Sequence, residues 1–390
     1  MQNRNQFIQA KHLLATKPGV VAVGYGYKRV NGNLIDALAV LVYVHRKVPL
    51  SALSVQDVVP QVVAGLPTDV IEVPTVDALA AATEVPVRRT KRRPCPGGFS
   101  CGHPSITAGT IGLPLVYADK EPCFLTNTHV AAPHWARPIA PGDTVLQPGP
   151  YDGGTPADSI GHLLRWKFIQ FDVPNQVDAA LVEVFEKDVL GAIYGAPRAR
   201  EMMFYDRLGE AEVGQKVAKS GRTTGWTLGR VTATGAAVNV RYLADLIALF
   251  TEQIEVITDE GGIFSAGGDS GSAIVSRDGR TVYGLLFAGD GYRTYFNPIE
   301  LVKAALGFEL PETVAGQLAP LGDNLVQVWD WDNQIQTWRG YDPSSPQNSS
   351  LRVLVKGKGY FIKVISPVVF DYHGFIYNLS VGYNLIGWQD

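Results

Sequence analysis

With 390 residues the chain is long enough for two or three domains, each with its own core, which excludes a short disulfide-stapled scaffold. A composition that is 46% hydrophobic and 18% charged excludes a disordered chain, and 34 Lys and Arg against 37 Asp and Glu, a formal charge of -3, give no overall pull towards nucleic acid or an anionic membrane. The 41 Gly and 25 Pro supply many turns and point to an all-β chain, while three cysteines (Cys95, Cys101 and Cys123) are too few to staple it and suggest a reducing compartment.

No apolar stretch of signal-peptide length follows Met1 and no run of about 18 apolar residues occurs, so a soluble, cytoplasmic protein with no membrane span is expected. Residues 1–87 form the first region. A polar helix over Asn5 to Thr16 precedes strands at Val20 to Tyr27 and Leu38 to His45, a helix from Pro49 towards Val63 and a third strand over Asp69 to Val73, giving a small α+β accessory unit. Gly24-Tyr25-Gly26 resembles part of a dinucleotide fingerprint, but Arg29 stands where the third glycine belongs and no helix opens there, so the segment reads as a strand. Residues 88–98 carry five positive charges in the six residues Arg88 to Arg93, then Pro94-Cys95-Pro96-Gly97-Gly98. Like charges at that density stay solvated and predict an exposed linker; a proteolytic processing site is the sharper reading, and nucleic-acid contact a third.

Residues 99–312 show short β-like runs at turn spacing, among them Ile111 to Tyr117, Cys123 to Thr126, Ala179 to Phe185, Gly229 to Thr234, Ile254 to Thr258, Ser272 to Val275 and Val282 to Phe287. They suggest a barrel or a pair of barrels, with one helix at Pro298 to Leu306. Residues 320–390 change character, with Trp329, Trp331, Trp338, Trp388 and many tyrosines between short runs such as Leu351 to Val355, Tyr360 to Ile365 and Tyr383 to Trp388. A separate small β-module is expected there, its aromatics serving as core and cross-strand pairs or as a stacking surface for sugars or peptides.

A covalent hydrolase needs a nucleophile, a base to activate it, an acid to orient the base and donors for the oxyanion. In Gly267-Gly268-Asp269-Ser270-Gly271-Ser272-Ala273 the glycines permit a backbone that lets the amides of Gly268 and Ser270 converge on one point beside Ser270. Upstream, Leu125-Thr126-Asn127-Thr128-His129 places a histidine at the end of an apolar strand, and Asp178-Ala179-Ala180-Leu181 opens another strand with a carboxylate. Asp172 is a rival acid, but it precedes a Pro174-Asn175-Gln176 turn instead of opening the strand. His129 and His134 lack the spacing and the glutamate of a zinc helix, and neither a metal site nor a cofactor is expected.

These three motifs, in this order, resemble those of the chymotrypsin-fold (trypsin-like) serine peptidases of the bacterial, disulfide-poor kind. Forty-nine residues separate His129 from Asp178 and 92 separate Asp178 from Ser270, spacings that fit a double β-barrel, and Lys219-Ser220-Gly221-Arg222-Thr223-Thr224-Gly225 is similar to a turn of bacterial members. The resemblance covers roughly residues 99 to 310. It implies a serine endopeptidase in which Ser270 attacks, His129 transfers the proton, Asp178 orients the imidazole, and the Gly268 and Ser270 amides form the oxyanion hole. Asp269 is read as structural, in place of the animal enzymes' pairing of this acid with a new N-terminal amine. The implied specificity pocket has Phe264 six residues before the nucleophile, where enzymes cutting after Lys or Arg often carry an acid, and Phe287, Ala288 and Gly289 as its opposite wall; Leu286 stands where glutamate-specific relatives have a histidine. Cleavage of protein or peptide substrates after apolar or small residues is the expectation. An inactive peptidase fold acting as a binding module, and an esterase using the same triad, remain alternatives. The N- and C-terminal units are expected to serve regulation or docking of a partner.

Overall fold

The structure, a computed structural model, describes residues 2–30, 33–73, 86–185, 188–195, 202–259, 261–332, 336–345, 349–351 and 353–389. Helix α1 (Gln2–Leu14) buries Phe7, Ala10 and Leu14, spaced to fall on one helical face, against Val23, Val40, Val42 and Leu66. Those residues belong to strands β1 (Val20–Val30), β2 (Asn33–Val44) and β3 (Leu66–Glu72), with β2 antiparallel to β1 and parallel to β3. The helix expected from Pro49 to Val63 does not form. Only one 3-10 turn appears, at Leu50–Ala52, and Val62–Val63 turns back on Leu66 as a strand; Val55, the apolar residue that would anchor a helical face, is 94% exposed.

Strands β4 (Leu113–Ala118), β5 (Glu121–Thr126), β6 (Thr144–Leu146), β7 (Ser159–Trp166) and β8 (Ala180–Val184) make a first sheet in the order β6-β7-β8-β5-β4. The second unit consists of β9 (Lys216–Gly221), β10 (Gly225–Leu243), β11 (Leu246–Thr258), β12 (Ala273–Val275), β13 (Thr281–Gly289) and β14 (Arg293–Pro298). They follow one another as β9-β12-β13-β14-β11-β10, and β10 returns to pair with β9, closing a barrel. The double-barrel, mainly-β expectation is therefore the observed architecture. The two units meet through Leu113, Leu125, Ala179 and Leu181 on one side and Ala218, Ala273, Val275 and Leu285 on the other, with Ile299, Val302 and Leu306 of a C-terminal helix (Ile299–Leu306) in the same cluster.

The hairpin β10–β11 is far longer than the short strands expected at Gly229 to Thr234 and Ile254 to Thr258. Register shifts between Val231 and Ala233 and on either side of Ala236 bend β10, so that its first part, Gly225 to Arg230, closes the barrel on β9. Its next part, Ala233 to Val238, pairs with Gly26 to Ala22 of β1 and carries the barrel sheet on into the N-terminal unit. A fully buried carboxylate seals the seam. Glu255 accepts from Thr232 Oγ1 at 2.6 Å and Tyr295 OH at 3.2 Å and lies 3.7 Å from the guanidinium of Arg29 and 3.6 Å from that of Arg293.

The basic run is not the exposed linker its charge predicts. Arg88 is buried and donates to Ser220 Oγ (2.5 Å), Tyr194 O (3.1 Å) and Gly98 O (3.3 Å), with its guanidinium 4.7 Å from the Tyr194 ring centre; burial draws its pKa down to about 10. Lys91 pairs with Asp158 at 2.7 Å, Arg92 lies 5.5 Å from the Phe99 ring, and Arg93 reaches Ser159 O at 3.2 Å. Arg88, Lys91, Arg92 and Arg93 each have an acceptor or an aromatic face on the folded barrels. The run is therefore a docked strap, a placement that charge density by itself cannot reveal.

The C-terminal residues form their own sheet and core. Strands β15 (Leu325–Asp332), β16 (Thr337–Tyr341), β17 (Gly359–Val364) and β20 (Gly382–Gly387) order as β16-β15-β17-β20, beside a hairpin of β18 (Val368–Tyr372) and β19 (Phe375–Leu379). Tyr360, Phe370, Tyr377 and Trp388 pack in their core. Of Leu351 to Val355, expected as a strand, the described residues carry no strand; Leu351 N donates to Gly340 O at 3.0 Å, and the Gln317 side chain takes both backbone groups of Leu354, at 2.7 and 2.9 Å. All three cysteines are free and buried, and burial raises the Cys95 and Cys123 thiols to about 12. Among the described residues no helix is long and apolar enough to cross a membrane.

Candidate active site

Pairing of β5 with β8 aligns Thr126 with Ala180, so the residues that follow β5 lie opposite those that precede β8. That register brings the histidine and aspartate motifs together. His129 sits on a four-residue helix, α2 (Thr128–Ala131), whose Val130 and Ala131 are buried, and its Nδ1 lies 2.5 Å from Asp178 Oδ2. Asp178 is fully buried, and its other oxygen, Oδ1, accepts from the His129 backbone N–H at 3.2 Å. The backbone around it is pinned as well: Asn127 Nδ2 donates to Asp178 O at 2.7 Å, Thr128 Oγ1 to Ala179 O at 2.9 Å, and Asp178 N to Asn297 Oδ1 at 3.1 Å. Asp172, the rival acid, is exposed. His134 makes structural bonds, with Nε2 3.0 Å from Ile169 O.

The second barrel brings Ser270 to the same junction. Thr110 N donates to Ser270 O at 2.8 Å, and a Cβ on Gly109 would stand 2.3 Å from Val130 Cγ2 and 3.0 Å from the Ser270 carbonyl, so the histidine and serine loops meet across Gly109. Gly268 has φ +90°, and a Cβ there would lie 2.6 Å from Thr223 Oγ1, so only glycine fits. In the resulting turn Asp269 N donates to Ala266 O and Gly271 N to Leu286 O, whereas the Gly268 and Ser270 amides find no acceptor among the described residues. Two neighbouring unengaged N–H groups are what an oxyanion hole requires. The Ser270 hydroxyl is nearly buried and points at Phe287 O, 3.5 Å away, and makes no hydrogen bond to His129.

Asp269 accepts four donors: Thr223 N (2.8 Å), Thr224 N (3.1 Å), Thr224 Oγ1 (2.6 Å) and Ala266 N (3.0 Å). The structural reading of this acid fits that arrangement, but sequence reasoning missed its counter-ion. Lys219 Nζ stands 3.4 Å from Asp269 Oδ2 with both side chains fully buried, and burial lowers the ammonium to about pKa 8. Arg222, from the same turn, forms a buried pair with Asp152 of the first barrel. Tyr242 was also missed. Its hydroxyl donates to Asp178 Oδ2 at 2.8 Å from β10, and burial together with the Asp178 charge keeps it protonated far above the usual tyrosine range. No motif in β10 announces this contact, because it depends on how far the hairpin reaches.

The expected pocket residues fall into two separate clusters. Phe264 is 1% exposed and packs with Val217, Val231, Ile254 and Leu286 inside the second barrel. Phe287 and Ala288 are fully buried in the neighbouring cluster, Phe287 4.8 Å from the Phe250 ring, and Gly289 ends β13 beside them.

No family model matches the chain, and no curated protein matches it. Solved structures do resemble it. Thermobifida fusca Protease A is 22% identical with a TM-score of 0.40, over 55% of this chain and 97% of that one. Cellulomonas bogoriensis chymotrypsin is 20% identical with a TM-score of 0.39, over 55% and 97%. A glutamic-acid-specific serine protease that uses a histidine triad in substrate binding is 20% identical with a TM-score of 0.40, over 55% and 98%. Each of these likenesses covers just over half of this chain and nearly all of the other.

Proposed function

We propose that the protein is a serine endopeptidase. Ser270 Oγ attacks the scissile carbonyl, His129 takes the hydroxyl proton and returns it to the leaving amine, and Asp178 holds the imidazole with its Nδ1–H towards the carboxylate. The Gly268 and Ser270 amides bind the oxyanion of the tetrahedral intermediate, and water hydrolyses the acyl-enzyme in a second round of the same proton transfers. The observation that carries this reading is the 2.5 Å His129–Asp178 contact at the junction that also holds two unengaged amides beside Ser270. The hydrogen bond from Ser270 to His129 forms with substrate bound, as catalytic contacts of this kind tighten in the Michaelis complex.

With Phe264 where basic-specific enzymes carry an acid, the proposed substrates have an apolar or small side chain at the cleaved bond; an unpaired Lys or Arg would be costly to bury there. The test is a peptide-library cleavage profile of the full chain beside Ser270→Ala, with fluorophosphonate labelling of Ser270. Cleavage of peptides after apolar residues, lost in Ser270→Ala by about 10⁴-fold or more, is the expected result. An unlabelled Ser270 overturns the enzyme reading, and hydrolysis of small esters without any peptide overturns the peptidase reading.

A further inference from the structure

We infer that Tyr242 is a positioning residue for Asp178, and that the N-terminal sheet holds it in place through the hairpin β10–β11. The inference rests on the peptidase reading of the same site and names a part of it that lies outside the three motifs. Asp178 Oδ2 receives two donors, His129 Nδ1 at 2.5 Å and Tyr242 OH at 2.8 Å. The His129 backbone N–H holds the other oxygen, Oδ1, at the longer distance of 3.2 Å. The second donor to Oδ2 fixes the plane in which the imidazole must lie.

The tyrosine is itself held on several sides. Its ring lies 5.8 Å from His129, 5.0 Å from Trp135 and 6.2 Å from each of Phe171 and Phe250. The other strand of the hairpin grips the segment that leads into Asp178: Asn175 N donates to Leu249 O and Thr251 N to Asn175 O, each at 2.8 Å, and Gln253 Nε2 donates to Gln176 O at 2.8 Å. Gln253 Oε1 then accepts from Asn297 Nδ2 at 2.6 Å, and Asn297 Oδ1 accepts the Asp178 N–H. Both strands of the hairpin therefore converge on the acid. The edge of β10 outside the barrel is covered by β1 from Ala22↔Val238 to Gly26↔Ala233, with one register shift between Val23 and Tyr25. Tyr242 stands four residues beyond that pairing, so the N-terminal sheet sets the direction in which the hairpin tip projects.

Two variants of the full chain test the inference by two readouts. Tyr242→Phe keeps the ring and removes the hydroxyl. Gly24→Ala places a Cβ 3.1 Å from Ala233 Cβ, pressing β1 away from β10 without touching the site. The first readout is the rate at which a fluorophosphonate labels Ser270; the second is the downfield proton resonance of His129 Nδ1–H, which needs no turnover. Tyr242→Phe is expected to label roughly ten- to a hundredfold more slowly, the scale of one hydrogen bond to a buried charge, with an unchanged melting transition and a displaced resonance. Gly24→Ala is expected to displace the resonance in the same direction by less. A wild-type labelling rate and resonance in Tyr242→Phe would overturn the positioning role; an unmoved resonance in Gly24→Ala would overturn the brace. If wild type itself is not labelled the peptidase reading fails, and the resonance still decides whether Tyr242 positions the pair.

Discussion

The two ends of the chain flank the double barrel in opposite ways. At the N-terminus, β1 continues the barrel sheet by pairing with β10, and charges cross the seam: Arg29 approaches the buried Glu255, and Lys11 meets Glu252 at 2.5 Å. At the C-terminus the strands pair with one another, their aromatic residues make a core of their own, and the buried Asp330–Arg339 pair joins β15 to β16, with the Arg339 guanidinium 5.0 Å from the ring of Phe204 outside the module. Both ends read from sequence as accessory units of alternating apolar strands. What separates them is whether the last strand edge is spent inside the unit or on its neighbour, and alternation carries no information about that.

The strongest way to break the comparison is to cut the chain at either end. A chain beginning at Cys95 loses β1 and leaves the Ala233 to Val238 edge of β10 unpaired, and it strips Ala39, Leu41 and Tyr43 from a shared hydrophobic cluster, so insolubility or loss of cooperative melting is expected. A chain ending at Pro311 keeps both barrels, and its rate of Ser270 labelling is expected to match the full chain. If the shorter N-terminal form were soluble and more active, the unit would be an inhibitor and not a wall of the barrel.

Matched carboxylate substitutions sharpen the same contrast. Glu255→Gln leaves Arg29 at the seam without its counter-charge and Arg293 with Asp290 alone, and a loss of about 3–5 kcal/mol in denaturant unfolding of the barrels is expected. Asp330→Asn removes the carboxylate facing Arg339, whose guanidinium keeps its place over the Phe204 ring; its cost should fall mainly on the unfolding of the C-terminal module, followed by tryptophan fluorescence, with labelling of Ser270 unaffected. Equal effects of both substitutions on Ser270 would mean that the C-terminal module is as integral as the N-terminal one.

The three motifs were legible because each couples a chemical residue to a local backbone signal: a strand end before His129, a strand start after Asp178, and glycines around Ser270. Strand positions were mostly legible for the same reason, Cys123 to Thr126 and Val282 to Phe287 among them. The partners that hold those residues were not. Lys219, Tyr242 and Asn297 reach the site from strands far away in sequence, and an ordinary Lys, Tyr or Asn in an apolar run reads as a core or surface residue. Arg88 misled in the other direction, since charge density predicts solvent unless the acceptors Tyr194 O and Ser220 Oγ are known to wait for it. Gly235 and the alanines around it concealed the length of β10, whose bulges break the alternation by which strands are recognised.

Within the barrel itself, the Lys219–Asp269 pair predicts a pH limit on activity. Asp269 shapes the turn that presents the two amides, and its carboxylate is stabilised by the Lys219 ammonium at 3.4 Å. Folded Lys219 titrates near 8 and the unfolded side chain near 10.5, so between those values the unfolded chain binds the extra proton and this group's contribution to stability rises with pH. Activity should nevertheless fall above about pH 8, as the neutral amine leaves Asp269 unpaired. Arg88 is the other charge acting on Lys219, and since burial draws its own pKa down to about 10 it stays protonated only through the lower part of this window. Lys219→Arg should carry activity to higher pH, and Lys219→Met should slow Ser270 labelling at neutral pH by roughly ten- to a hundredfold. A flat profile from pH 7 to 10 in wild type would separate the pair from the oxyanion turn.

The smallest effect is expected at the strap, where a processing site would otherwise be sought. Proteases bind extended segments with both backbone and side chains accessible, yet Arg88 is inside the fold and Arg92 and Arg93 lie against Phe99 and Ser159. Brief digestion of the native chain with trypsin, read by mass spectrometry, should leave the bonds after Arg88 to Arg93 intact while exposed lysines elsewhere are cut. The same bonds should open only with global unfolding, because releasing Arg88 alone would strand the Gly98 carbonyl along with the guanidinium. Rapid native cleavage after Arg88 or Arg89, accompanied by a gain in Ser270 labelling, would make the strap an activation switch and would place the N-terminal sheet on the inhibitory side of the comparison.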